Sequence, residues 1–168
     1  KAGLGLLSNL PGDEKAVAVI EDTAVDVNDL PAFIAEFNEI LTANNLYCVH
    51  YAHAGSGELH LRPIINLKTA EGHRQFRHIA EEIARLVKKF QGSLSGEHGD
   101  GRLRGEFIPW MVGEANYQLM RELKSWWDPK GIFNPNKIVD TPPMDTFLRY
   151  EAGQQTPVFK TAFRYQDQ

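Results

Sequence analysis

Apolar residues recur at changing periods along this chain, and the changes mark out its elements. Residues 16–22 are a short, mostly apolar and β-branched run behind Pro11 and Gly12, which predicts a strand in a buried setting. Leu30, Phe33, Ile34, Phe37, Ile40 and Leu41 then fall at helical spacing. Asn28 or Asp29 can cap that helix, Pro31 sits near its first turn, and Asn44 and Asn45 end it. Residues 46–51 and 58–65 read as strands joined through a glycine-containing turn at 54–57, hence a hairpin. Phe76, Ile79, Ala80, Ile83, Leu86, Val87 and Phe90 line one face of a second helix, and Gly92 is placed to stop it.

The order is therefore β-α-β-β-α, which fits an α+β fold: a ferredoxin-like antiparallel sheet with helices on one face. A glycine-rich loop over 93–105 follows, then a C-terminal helical segment over 114–127, broken at Asp128, Pro129, Lys130 and Gly131. From Thr141 the pattern is lost around Pro142 and Pro143. The expected division is a domain over residues 1–140 and, over 141–168, either a linker toward a further segment or an arm that packs elsewhere. The opening residues 1–7 read like mid-domain sequence, so the chain is expected to be a piece of a longer one.

Composition narrows the class. With 168 residues, 42% hydrophobic and 24% charged, a packed core is feasible. The net charge of −4 comes from interspersed signs, which gives no basic surface for nucleic acid. Cys48 has no intrachain partner and sits in an apolar run, as a small buried hydrophobe would. No apolar run reaches the ~20 residues a bilayer span needs, and no secretory signal is visible. A cytoplasmic setting, or one peripheral to the inner membrane, is expected.

Two groups of residues can carry chemistry. His53 and His60 lie at facing ends of the hairpin strands, where two imidazoles can converge on one ion. Residues 95–101 place Glu97 and His98 among three glycines, with Glu97 able to complete a two-histidine, one-carboxylate set that leaves positions open for substrate. Such an ion could polarise a substrate hydroxyl, and His98 is suited to take its proton. The same residues also fit a metal-dependent hydrolase, or a non-catalytic interaction module whose polar loops are solvated. His50 reads as a packed or hydrogen-bonded residue, and His73 and His78 as solvated. Trp110, Trp126 and Trp127 read as core or domain-interface residues, and Arg102 and Arg104 as facing either a substrate carboxylate or another domain.

His53 with His60, the stretch 96–101 and the stretch 128–137 stand in an order and spacing that resemble the C-terminal part of FAD-linked oxidases of the vanillyl-alcohol-oxidase type. That family includes D-lactate dehydrogenases, the glycolate oxidase flavin subunit and D-2-hydroxyglutarate dehydrogenases. The resemblance implies a part of an FAD-dependent dehydrogenase that oxidises a D-2-hydroxy acid to the 2-oxo acid. It implies zinc, manganese or iron held by His53, His60 and Glu97, with His98 as the base. It also implies Lys15 facing the substrate carboxylate and Asn134 near the flavin. FAD would be bound mainly by a domain outside this chain, which alone would be inactive, and electrons would leave to an iron–sulfur segment or another acceptor. Ser56, Gly57 and Glu58 stand where the family usually has aspartate, glycine and asparagine, and Arg62 stands where some members have asparagine.

Overall fold

The computed structural model describes residues 9–157, together with Leu7 and Ala162; most of the opening stretch that reads like mid-domain sequence lies outside them. Its elements in chain order are β1 (Lys15–Ala16), β2 (Thr23–Ala24), α1 (Leu30–Ala43), β3 (Cys48–His53), β4 (Glu58–Ile65), α2 (Ala70–Lys89), α3 (Ile108–Val112) and α4 (Glu114–Trp127). Short 3₁₀ turns occupy Ala54–Ser56 and Gly105–Phe107. The fold is α+β, as the pattern predicts.

β4 is the centre of the sheet. On one side it pairs antiparallel with β3, from Cys48 opposite Pro63 to His53 opposite Glu58. On the other it pairs with β1 at Ile65 and with β2 at Leu59. Ser93, just after α2, adds a bridge to Ala24, so the spatial order follows the ferredoxin-like one with its last strand reduced to a single pair.

The single strand expected over 16–22 is instead two short pieces. Residues 17–22 leave the ladder: Val17 N still donates to Pro63 O and Asp22 N to Leu59 O, but six residues span what β4 crosses in four. Val19 and Ile20 still bury themselves in the core. Asp22 takes a φ of 82° and turns its side chain the other way. The apolar content was legible; the excursion serves Asp22, whose contacts are long-range.

Pleating divides β4 between two tasks. Leu59, Leu61 and Ile65 face the helices, where Phe33, Phe37 and Leu41 of α1 and Phe76, Ile79, Ile83 and Val87 of α2 complete the core. Each such side chain contributes roughly 1.5–3 kcal/mol by leaving water. Glu58, His60 and Arg62 alternate onto the opposite face.

Caps differ from expectation at both helices. Asp29 holds the first position of α1 without a side-chain bond to it, while Asp26 accepts from Asn28 N at 2.8 Å. Thr69 caps α2 by accepting from Gly72 N at 2.9 Å. Gln91, at φ 53°, makes the left-handed exit that Gly92 was expected to supply. Gly92 is needed for a different reason: a Cβ there would lie 2.3 Å from Ala24 O, across the bridge to Ser93.

Residues 141–157 pack back as an arm. Met144 is 3% exposed and joins the core, Arg77 holds both Glu106 and Asp145, and Gly153 N donates to Lys68 O. No helix among the described residues is long and apolar enough to cross a membrane.

Candidate metal and acid–base site

The hairpin presents Tyr51 and His53 from β3 beside Glu58, His60 and Arg62 from β4, all on the face away from the helices. Gly57 makes the turn possible. Its φ is 76°, and a Cβ would lie 1.9 Å from Val25 O. The tight connection holds His53 opposite Glu58, so its ring meets that of His60 edge-on with centroids 5.1 Å apart. The loop after α2 brings Glu97 and His98 over the same face, and His98 stacks on His60 at 5.3 Å.

Asp22 fixes that loop. Fully buried, its carboxylate accepts from Ser95 Oγ at 2.5 Å and from the backbone N–H groups of Glu97 and His98, each at 2.9 Å. Burial pushes the Asp22 carboxyl up, but these hydrogen bonds outweigh it and hold the group at about 2. Arg104 supports the arrangement from beneath, donating to Glu21 O at 2.6 Å and Gly99 O at 2.9 Å. Of the two arginines in the loop, Arg104 is therefore spent on backbone, while Arg102 lies over the Phe147 ring.

Glu97 Oε1 stands 3.7 Å from His53 Nε2, 3.7 Å from His60 Nε2 and 3.2 Å from His98 Nε2. The donor atoms of His53, His60 and Glu97 all lie within 4.8 Å of one another, as do those of Glu21, His60 and His98, and of Asp22, Glu58 and His60. For ligand bonds of ~2.1 Å, a tetrahedral ion sets its donors about 3.4 Å apart, a few tenths of an ångström inside the 3.7 Å separations. Two buried atoms, His60 Nδ1 and Glu58 Oε1, have no hydrogen-bond partner among the described residues. Burial first, then the neighbouring Asp22 and Glu97, raises the Glu58 carboxyl. Four carboxylates and three clustered imidazoles fit a divalent cation with mixed nitrogen and oxygen donors. Residues His53, His60 and Glu97 could hold it.

Lys15 and Asn134 are not brought here. Lys15 pairs with Ile65, five residues along β4 from His60, or roughly 17 Å at strand rise. It lines a separate cavity of about 250 Å³ with Val17, Lys68 and Tyr150. Asn134 follows α4, among Met120, Leu123, Trp127 and Phe133. That surface is apolar and open: Trp126 and Trp127 are 74% and 79% exposed, so neither is a core residue.

Among the other histidines, His50 faces α1 and bonds Asn38 and Cys48 O, in keeping with a hydrogen-bonded role. His73 is half-buried and bonded to Leu67 O rather than solvated. Sequence reasoning missed Glu21, Asp22 and Tyr51. Strand alternation was the available signal for Tyr51, two residues before His53. No local pattern marks Glu21 or Asp22, which look like the end of a strand.

The model for the C-terminal domain of FAD-linked oxidases matches residues 1–138. The chain is 36% identical over 138 residues to a D-2-hydroxyglutarate dehydrogenase of Pseudomonas putida, covering 82% of this chain and 14% of that protein. It is 33% identical over 165 residues to the Escherichia coli D-2-hydroxyglutarate dehydrogenase, covering 94% and 16%. A mitochondrial D-lactate dehydrogenase (cytochrome) of Saccharomyces cerevisiae is 33% identical over 131 residues, covering 78% and 22%. The chain thus spans only a small part of the length of these relatives. A sheet carrying histidines and carboxylates on its open face, with this breadth of similarity, belongs to the family of C-terminal domains of FAD-linked oxidases.

Proposed function

We propose that this domain forms the substrate side of an FAD-dependent dehydrogenase that oxidises a D-2-hydroxy acid to the 2-oxo acid. The observation that carries the reading is the approach of His53, His60 and His98 to one oxygen of Glu97 on the open face of the sheet. The relatives, D-2-hydroxyglutarate and D-lactate dehydrogenases, support the substrate class.

In this reading His53, His60 and Glu97 hold zinc, manganese or iron. The ion, when bound, draws charge from the substrate hydroxyl and lowers the cost of removing its proton. His98 takes that proton. Glu21 Oε1 and Asp22 Oδ1 lie 3.8 and 3.9 Å from its Nδ1. FAD, held by the flavin domain of a longer parent chain, would supply the acceptor for the hydride from Cα. One proton and one hydride leave, which balances the conversion of hydroxyl to carbonyl. We place the boundary of the domain near residue 140, with the following arm packed on it, and the final electron acceptor in another segment or protein.

The test is metal content by mass spectrometry after dialysis without chelator, beside a His53→Ala/His60→Ala control. About one zinc, manganese or iron per chain is expected, and its loss in the control. Equal metal in both proteins would overturn the ligand assignment.

A further inference from the structure

Arg62 stands on the same face of β4 as His60, two residues away, with its side chain 21% exposed. Its Nη2 reaches both oxygens of Glu21, at 2.8 and 2.7 Å, while its buried Nε has no partner among the described residues. Glu21 Oε1 is also the atom 3.8 Å from His98 Nδ1. One carboxylate therefore links the Arg62 guanidinium to the histidine cluster.

Charge around the cluster is lopsided. Glu21, Asp22, Glu58 and Glu97 face it, against Arg62 and Arg104. Arg104 is 8% exposed and bonded to two backbone carbonyls, so it has little left to offer a ligand. Among the described residues Arg62 is the other cation facing it; of its five guanidinium donors Glu21 engages those on Nη2 and the Nε is buried, which leaves the two on Nη1. The phenol of Tyr51, whose ring lies 6.0 Å from the Arg62 guanidinium carbon, also has an unpartnered buried oxygen. A donor-rich spot of this kind, next to a site for an α-hydroxy carboxylate, suits a second carboxylate.

We infer that Arg62 is a specificity-determining residue that binds the distal carboxylate of a 2-hydroxy dicarboxylic acid. This rests on the reading of His53, His60, Glu97 and His98 given above. A five-carbon diacid spans about 5 Å between its end carbons, from four single bonds of ~1.5 Å. Glu21, 2.7 Å from Arg62 Nη2 and 3.8 Å from His98 Nδ1, is the one carboxylate between the two, so a diacid of that length reaches from the cluster to Arg62.

The experiment uses the full-length protein that carries this domain. The ratio of kcat/KM for D-2-hydroxyglutarate to that for D-lactate is measured in the natural protein and in Arg62→Met. The natural protein should favour the diacid, and the variant should lower the ratio by about 10- to 100-fold, as expected for a lost hydrogen bond between charged groups. An unchanged ratio, with both substrates equally impaired, would show that Arg62 only braces Glu21 and would overturn the inference while leaving the site reading intact. Absence of turnover on either acid by the natural protein would instead strike the site reading itself. Should the variant fail to fold, glutarate and pentanoate are compared as competitive inhibitors of the natural protein. They share a chain length and differ in the far carboxylate, so at least about 10-fold tighter inhibition by glutarate is expected. Equal inhibition would overturn the inference.

Discussion

Replacing Asp22 by Asn removes one charge and almost no volume, yet it should cost the chain much of its stability. A carboxyl held at about 2 instead of 3.8 corresponds to about 2–3 kcal/mol of preference for the ionised form in the folded state. Since the carboxylate is fully buried, salt takes little from that figure. The amide adds a geometric conflict. Oδ1 accepts from Glu97 N, while Oδ2 accepts from His98 N and Ser95 Oγ. An NH₂ in either place meets a backbone N–H with another donor and leaves it unpaired. Relief of repulsion on Glu58 works in the opposite direction, so the expected loss is about 3 kcal/mol. With a urea slope of about 1.5 kcal/mol per molar, the midpoint at pH 7 should fall by about 2 M.

Acid provides the second arm of the test. The folded-state value lies below the unfolded one, so the Asp22 contribution is complete above about pH 4 and fades as pH falls toward 2. The gap between the natural chain and Asp22→Asn should therefore narrow across that window. Glu58 has the opposite sign: its raised carboxyl costs stability when ionised, and that cost is relieved as pH falls through its folded-state value, ahead of the Asp22 window. A variant within 0.5 kcal/mol of the natural chain at pH 7, or a gap constant from pH 6 to 2.5, would refute the reasoning.

Three further outcomes are expected. His98→Asn in the full-length protein should lower turnover by about 100-fold or more with metal content unchanged, and normal turnover would remove His98 as the base. Gly57→Ala should destabilise the chain by about 2 kcal/mol or more, seen as a lower thermal midpoint, because a Cβ would sit 1.9 Å from Val25 O on a residue at φ 76°. The Cys48 thiol is buried and pushed up to about 12, so a thiol reagent at pH 8 should label it only as fast as the chain opens; rapid labelling of the folded chain would contradict its placement.

Short-range pattern revealed the three longer helices, the hairpin and the two polar motifs, but not the short α3. Each of those signals lives within one turn or one pleat: Phe33, Phe37 and Leu41 at spacing four, or His53 and His60 flanking a glycine turn. What could not be read depends on contacts distant in sequence. Residues 17–22 have the composition of a strand, and only the loop at 95–98 shows why Asp22 must turn out of it. Gly92 looked like a helix stop because its true constraint, Ala24 O, lies 68 residues away. The same holds for Lys15, whose place is set by pairing with Ile65 at the far end of β4. Met144 gave no periodic signal, since a single anchor in an arm has no period.

Because β4 is the middle strand, its sides can be edited independently. Leu59, Leu61 and Ile65 answer to the helices, while Glu58, His60 and Arg62 answer to whatever ligand the open face receives. A point substitution at an even position can therefore redirect recognition without asking the interior to repack. A deletion of one residue within the strand has no such freedom: downstream of it every even side chain would trade places with an odd one, sinking charge into the interior and lifting leucine into water. The sheet thus tolerates replacement on its polar face far better than any change of strand length.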